Sequence, residues 1–97
     1  MNKEIEQFIA GNADWYVEDE KLVAGFEFTS YDAVKKMVTE IIRLAGEYNH
    51  HPEVTFTFST VEVKSTTHDQ NNSITEKDLK LAEAISNYFS KGVYWGM

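Results

Sequence analysis

The sequence has 97 residues, of which 42% are hydrophobic, 13% aromatic and 26% charged, a composition that suits one folded domain over residues 1–97 and excludes a disordered chain. The formal net charge of −7 disfavours nucleic acid and anionic membrane surfaces as partners. No cysteine is present, which excludes disulfides and thiolate chemistry, and without a membrane-spanning apolar run or a signal-peptide-like start we expect a cytoplasmic protein.

The first third of the chain predicts a short helix and then a hairpin. The helix covers residues 2–10 and can end at Gly11; its apolar face is formed by Ile5, Phe8 and Ile9. Residues 15–17 and 22–28 predict two strands joined by a polar turn.

The most regular pattern in the sequence is a long amphipathic helix that follows Ser30, a favourable N-cap. Apolar residues recur at three- and four-residue spacing, at Val34, Met37, Val38, Ile41, Leu44, Ala45 and Tyr48. Pro52 disfavours helical geometry at the residue before it. The adjacent His50 and His51 therefore stand where the chain leaves the helix and becomes extended.

A second hairpin and a third helix complete the predicted elements. The first strand alternates apolar and polar positions and should be half-buried, with Val54, Phe56 and Phe58 inward. The second strand runs to Thr67 and His68, and after a polar loop a capping box at residues 75–78 opens the helix. The inward positions of that helix are predicted to be Leu79, Ala82, Ile85 and Phe89, with Gly92 at its end. The tail at 93–97 is apolar and receives no predicted element.

The order α-β-β-α-β-β-α predicts an α+β fold, with a four-stranded antiparallel sheet and the helices packed on one face. The strands that leave Pro52 and enter His68 are then antiparallel neighbours, so the start of one lies beside the end of the other. All three histidines of the chain, His50, His51 and His68, can converge there. Imidazole titrates near neutral pH, and a pair can supply one acid and one base for the elimination of water.

Other interpretations of these residues remain open. A histidine at a helix end often only caps carbonyl groups and balances the helix dipole. Three imidazoles can also bind zinc, but adjacent histidines in extended chain point apart and we expect no metal. Asp78 stands in the first turn of a helix, where a carboxylate commonly serves as a cap.

The chain resembles the pterin-4a-carbinolamine dehydratase family. The resemblance lies in Asn49-His50-His51-Pro52-Glu53, Phe58, Thr67-His68 and Asp78. Five residues separate Pro52 from Phe58, nine separate Phe58 from His68, and nine more separate His68 from Asp78. It extends to Trp15 before the first hairpin, to residues 26–28 and to residues 75–78. This spaced pattern is far more specific than His-His-Pro alone.

The resemblance implies a dehydratase that converts a 4a-hydroxytetrahydropterin to the quinonoid dihydropterin and water, in tetrahydropterin recycling, with no metal or organic cofactor. It implies that His50 and His68 handle the protons and that His51 orients the pterin and assists proton transfer. It assigns substrate contacts to His51, Pro52, Glu53, Phe58, Thr67 and Asp78. It also implies a homodimer or homotetramer.

Three departures from the family pattern are visible. The pattern has a carboxylate four residues before the first histidine, where this chain has Gly46, with Glu47 one step further on. A tryptophan commonly follows His-Pro-Glu, where this chain has Val54. The loop between His68 and Asp78 is one residue longer than in familiar members.

Two alternative functions follow from the same residues. The first is a binding or dimerisation module, in which the acidic surface and the apolar tail at 93–97 serve self-association or a protein partner. Alternatively, the tail packs into the core against the first helix. The second is a pterin-binding protein of molybdenum-cofactor metabolism with little dehydratase activity.

Overall fold

Helices and strands follow one another in the order α-β-β-α-β-β-α in the computed structural model, which describes residues 2–92. The helices are α1 (Lys3–Gly11), α2 (Tyr31–Glu47) and α3 (Glu76–Ser90), and the strands are β1 (Trp15–Glu18), β2 (Lys21–Glu27), β3 (Glu53–Phe56) and β4 (Thr60–Ser65). A single 3-10 turn, His68–Gln70, precedes α3. The predicted fold class is confirmed, and the tail at 93–97 lies outside the described residues.

The four strands form one antiparallel sheet in the order β1-β2-β4-β3. The two hairpins join through β2 and β4, where Ala24 pairs with Val63, and Val63 pairs in turn with Val54 on β3. Strands β1 and β3 are therefore the edges. Within residues 2–92 no helix is long and apolar enough to cross a membrane.

The core lies between one face of the sheet and the helices. Leu22, Ala24 and Phe26 of β2 alternate towards this side and are at most 2% exposed, as alternation along a strand requires. They join one cluster with residues from all three helices, including Ile5, Met37, Ile41, Leu81 and Ile85. The helices thus pack on a single face of the sheet, as predicted.

Helix α2 begins and packs largely as the sequence predicts. The Ser30 hydroxyl accepts a hydrogen bond from the Ala33 amide at 3.2 Å, which satisfies one free N–H of the first turn. The predicted inward positions Val34, Met37, Ile41, Leu44 and Ala45 are buried. Val38 is half-buried and Tyr48, at the C-cap, is exposed, so the prediction for Tyr48 is wrong.

Three further expectations about local structure are wrong. Strand β3 ends at Phe56, which is 49% exposed, and Phe58 is 77% exposed in the turn, because no helix within residues 2–92 packs over the far end of this short edge strand. Strand β4 ends at Ser65, before Thr67 and His68. On α3, Leu81 is fully buried and Leu79 only partly, which shifts the buried face of the helix.

Candidate functional site

The end of α2 fixes the position of His50. Asn49 adopts a left-handed conformation with φ of 50°. The Asn49 amide donates to the Gly46 carbonyl at 3.3 Å and the His50 amide donates to the Ala45 carbonyl at 3.0 Å. These two bonds form a Schellman motif, which satisfies carbonyl groups of the last helical turn. The motif sets the direction in which the chain leaves the helix, and His50 is its last residue.

The three histidines line one pocket of about 310 Å³ at the end of α2. The same pocket, called the histidine pocket below, is also lined by Asn49, Thr66, Asp69 and Lys77. His50 is buried, whereas His51 and His68 are exposed. The structure therefore brings together residues that are up to 18 positions apart in sequence, with one imidazole in the wall and two at the opening.

His50 is held by a buried carboxylate. Its Nε2 lies 2.6 Å from Oδ1 of Asp78, which is fully buried on α3. Because a carboxylate accepts hydrogen bonds, Nε2 carries the proton. Nδ1 makes no hydrogen bond with residues 2–92, and no buried side-chain N or O atom among them lacks a partner. Nδ1 is therefore the ring nitrogen accessible to a ligand.

All acceptor positions of Asp78 are occupied. Oδ1 accepts from His50 Nε2 and from the Ser65 hydroxyl at 2.5 Å. Oδ2 accepts from the Thr67 hydroxyl at 2.7 Å and from the Thr75 amide at 2.9 Å. A carboxylate has about four lone-pair sites, so Asp78 has none left for a ligand. Its contribution to the pocket passes through His50.

The electrostatic state of Asp78 is the outcome of two opposing effects. Burial by itself raises the pKa of this carboxyl, while the hydrogen bonds from Ser65, the Thr75 amide, His50 and Thr67 lower it. The hydrogen bonds prevail, and the pKa of Asp78 lies below its ordinary value. Asp78 is therefore an anion at neutral pH, able to balance a positive charge on His50.

The same carboxylate also caps α3. Thr75 accepts from the Lys77 amide, and Asp78 accepts from the Thr75 amide, which together form a capping box. The Thr67 and Thr75 hydroxyls lie 2.7 Å apart. Since Thr67 donates to Asp78, Thr75 donates to Thr67. The predicted cap is therefore confirmed, and the same carboxylate also binds His50.

His68 stands on a tight loop rather than at the end of a strand. It opens the 3-10 turn His68–Gln70, after which Asn71 and Asn72 are both left-handed. An isolated bridge between Thr67 and Ser73 closes the loop at its base. The His68 Nδ1 atom lies 2.8 Å from Oδ1 of Asn72.

His51 separates the histidine pocket from a second, apolar recess of about 320 Å³. This apolar recess is lined by His51 and Pro52 together with Ile41, Ile42, Ala45, Gly46 and Val54. Both positions at which the chain departs from the family pattern in residue type, Gly46 and Val54, lie on it. The departures therefore change one local surface beside His51.

Glu47 does not take the place of the missing carboxylate. Its side chain accepts a hydrogen bond from Arg43 Nη1 at 2.9 Å on the exposed surface of α2. Arg43 also binds Glu40, whose carboxyl pKa it lowers. Glu47 lines neither the histidine pocket nor the apolar recess.

Four of the predicted substrate contacts line neither the histidine pocket nor the apolar recess: Glu53, Phe58, Thr67 and Asp78. Phe58 is in the β3–β4 turn, at the end of the hairpin opposite His51. Glu53 is exposed and lies 3.5 Å from the half-buried Lys21 in an ion pair, on a sheet row that alternates away from the core. Thr67 is buried against Asp78 and supports that carboxylate. Phe58 does not line the histidine pocket, because β3 carries it away from the end of α2.

Sequence reasoning missed several residues of the site. Ser65 follows Val61 and Val63 in the inward alternation of β4, and a buried hydroxyl in such a row signals a polar partner. Lys77 and Asp69 line the pocket without any sequence signal. Within residues 2–92 no group of three His, Asp or Glu side chains is arranged to hold a metal ion.

The comparisons with known proteins agree with this fold. The sequence model of the family described as "Pterin 4 alpha carbinolamine dehydratase" matches residues 1–88. A protein of Chloroflexus aurantiacus is 35% identical over 82 residues, which cover 84% of this chain and 87% of that protein. A protein of Haloarcula marismortui is 40% identical over 73 residues, which cover 75% of this chain and 78% of that protein. Both carry the name "Putative pterin-4-alpha-carbinolamine dehydratase".

Solved structures support the architecture. A Brucella melitensis protein described as a transcriptional coactivator/pterin dehydratase superposes with a TM-score of 0.81 at 22% identity, over 90% of this chain and 95% of that one. A pterin dehydratase-like protein identified as a RuBisCO assembly factor in the alpha-carboxysome gives a TM-score of 0.60 at 18% identity. That superposition covers 73% of this chain and 81% of the other. At these identities the likeness concerns the fold alone.

Proposed function

The chain belongs to the pterin-4a-carbinolamine dehydratase family, and we propose from this premise that it removes water from a 4a-hydroxytetrahydropterin. The observation that carries the proposal is the histidine pocket, in which three imidazoles surround one cavity and one of them is backed by a buried carboxylate. Such a site offers both a proton donor and a proton acceptor near neutral pH.

The reaction requires two proton transfers around one bond cleavage. The bond between C4a and its hydroxyl oxygen breaks after the oxygen receives a proton, and water leaves. The N5 electron pair forms the C4a–N5 double bond, and N5 then loses its proton to a base. The products are the quinonoid dihydropterin and water, and the two histidines return to their starting states by proton exchange with solvent.

His50 is suited to protonate the departing hydroxyl. The buried carboxylate of Asp78 binds Nε2–H and compensates the charge of an imidazolium, as the carboxylate does for the histidine in a Ser-His-Asp triad. Nδ1–H of that imidazolium is then the proton to be transferred. Positioned acid–base help of this kind is worth roughly 10²–10⁴-fold in rate.

His68 is suited to take the N5 proton. Its hydrogen-bond partner is the neutral side chain of Asn72 rather than a carboxylate. Unlike a carboxylate, this amide does not favour the protonated form of the ring over the uncharged form that accepts a proton. His51, at the rim between the histidine pocket and the apolar recess, is suited to orient the pterin and to assist proton transfer. The proposal also includes a cytoplasmic homodimer or homotetramer that needs no metal or organic cofactor, with the pterin as substrate.

A binding role without catalysis is the second candidate. It is favoured by the loss of the carboxylate at Gly46 and of the tryptophan at Val54, both beside His51. In that case the pocket would still bind a pterin, or a protein surface would carry the function. One fold relative is described as an assembly factor, and a pterin-binding role in molybdenum-cofactor metabolism belongs to the same class.

The test is a turnover assay with purified protein and a 4a-hydroxytetrahydropterin generated in situ. Wild-type protein should accelerate dehydration, and His50→Ala and His68→Ala should each lose about 10²-fold or more of that acceleration. Gln70→Ala is the matched control, since Gln70 is in the same turn as His68 and does not line the pocket. A dehydration rate with wild-type protein equal to the rate in buffer alone would refute the dehydratase proposal and favour the binding role.

A further inference from the structure

The loop that carries His68 supplies its own hydrogen-bond acceptor to that histidine. The Asn72 side-chain carbonyl Oδ1 lies 2.8 Å from His68 Nδ1. An amide carbonyl oxygen accepts and cannot donate, so the neutral His68 ring carries its proton on Nδ1. Nε2 then holds the free lone pair and makes no hydrogen bond with residues 2–92.

The backbone of the loop is built to deliver this contact. Asn71 and Asn72 adopt left-handed φ values of 57° and 53°, a conformation that costs most residues energy and that asparagine tolerates. The Ser73 hydroxyl donates to the Gln70 carbonyl at 2.6 Å, and the Thr67 amide donates to the Ser73 carbonyl at 2.9 Å. The loop is thereby closed, and Asn72 is returned to His68 four residues earlier.

We propose that Asn72 is a positioning residue that fixes His68 in the Nδ1–H tautomer, so that Nε2 is the base that removes the N5 proton. The catalytic part rests on the proposed dehydratase function, whereas the tautomer is a property of the free protein. In the same pocket, His50 is fixed in the opposite sense, with Nε2 bound to Asp78 and Nδ1 accessible. The two imidazoles therefore use different ring nitrogens.

A tautomer assignment tests the proposal without reference to turnover. Long-range ¹H–¹⁵N correlation spectra at a pH where His68 is neutral distinguish the protonated from the unprotonated ring nitrogen. Wild-type protein should show the unprotonated nitrogen of His68 at Nε2. A wild-type spectrum with the unprotonated nitrogen at Nδ1 would overturn the proposal.

Three variants separate positioning from loop folding. Asn72→Gly keeps a residue that accepts positive φ and removes the acceptor; the fixed tautomer should become a mixture. Asn71→Gly is the matched control, because Asn71 has the same residue type and conformation one position earlier and has no hydrogen bond to His68; it should leave the spectrum unchanged. Asn72→Asp restores an acceptor and should restore the Nδ1–H tautomer. Equal spectra for Asn72→Gly and Asn71→Gly would overturn the proposal.

Kinetics supply the second readout. Asn72→Gly should lower kcat by about 2- to 10-fold, because the loss of one hydrogen bond reduces the population of the Nδ1–H tautomer by about that factor. Asn71→Gly should leave kcat unchanged. Asn72→Asp should move the acid limb of the kcat/KM profile to higher pH, because the new carboxylate stabilises protonated His68. The other titratable groups around the pocket, His50, His51, Asp69 and Lys77, are the same in every variant.

The two failures are distinguishable. No turnover by any protein, wild type included, would overturn the proposed function and the use of Nε2 as a base, while the spectra decide the tautomer independently. If wild-type turnover is normal, the kcat/KM pH profile of Asn72→Asp is unshifted and Asn72→Gly keeps full kcat, the dehydratase function is retained but the role of Asn72 is overturned.

Discussion

His50 Nε2 and Asp78 Oδ1 lie 2.6 Å apart, and both side chains are buried. The contact joins the end of α2 to the first turn of α3, over 28 residues of sequence. This single hydrogen bond both holds α2 against α3 and positions His50 in the histidine pocket. Changes at Asp78 are therefore expected to alter stability and chemistry together.

Replacing Asp78 with asparagine should lower the free energy of unfolding by about 3 kcal/mol, because hydrogen bonds to a buried charged acceptor are weakened or lost. An amide presents donors towards groups that already donate, so at least one of the four hydrogen bonds to Asp78 is lost. Urea denaturation at pH 7 measures the difference. Asp69→Asn, on an exposed carboxylate, should change stability by no more than about 0.5 kcal/mol; equal effects of the two variants would contradict the prediction.

Stability should depend on the ionisation of Asp78 in acid. Because the pKa of Asp78 is lower in the folded protein than its ordinary value of 3.8, the folded state favours the anion. The resulting stabilisation is fully present above about pH 5 and is lost as the pH falls through 3.8 towards the folded pKa. Denaturation of wild type and Asp78→Asn from pH 7 to pH 2 should give curves that converge in acid. Parallel curves would show that Asp78 does not contribute.

Gly46 offers a test of the missing carboxylate. A Cβ atom at this position would have no heavy atom within 4 Å, so Gly46→Ala should stabilise α2 by about 0.5–1 kcal/mol. Gly46→Glu places a carboxylate on the apolar recess beside His51 and should raise kcat/KM, while Gly46→Ala leaves it unchanged. Thermal unfolding and turnover measure the two effects, and an equal kcat/KM for both variants would show that a carboxylate here does not assist the reaction.

Asn49 should show the preferences of a left-handed position. At its φ of 50°, Asn49→Ala should lower the free energy of unfolding by about 1 kcal/mol. Asn49→Gly should leave stability within about 0.5 kcal/mol, because glycine populates this region freely. Chemical denaturation of both variants tests this. A larger loss for glycine than for alanine would mean that the side chain of Asn49, and not its backbone, holds the motif.

The predicted elements were correct in number, type and order because their signals are local. Periodicity of apolar residues, the Ser30 N-cap and the Thr75–Asp78 capping box each depend on a few neighbouring positions. The convergence of the three histidines also followed from local facts, since antiparallel pairing of two consecutive strands determines which ends meet.

The errors arose where burial depends on distant elements. Phe58 alternates correctly with Phe56, yet nothing in the strand itself shows that β3 is an edge whose far end is left uncovered by the described part of the chain. Ser65, Thr67 and Thr75 converge on Asp78 from β4, the following segment and the start of α3. That convergence requires the packing of α3 on the sheet, which no local pattern encodes.

The Schellman motif at the end of α2 makes the length of that helix part of the site. One residue inserted or deleted between Ser30 and Asn49 would turn the ring of His50 by about 100° and displace it by about 1.5 Å along the helix axis, out of reach of Asp78. The β3–β4 turn at Thr57–Thr60 lies at the other end of its hairpin and imposes no such limit. Among proteins that keep this site, insertions and deletions should therefore accumulate in that turn, while α2 keeps a constant length.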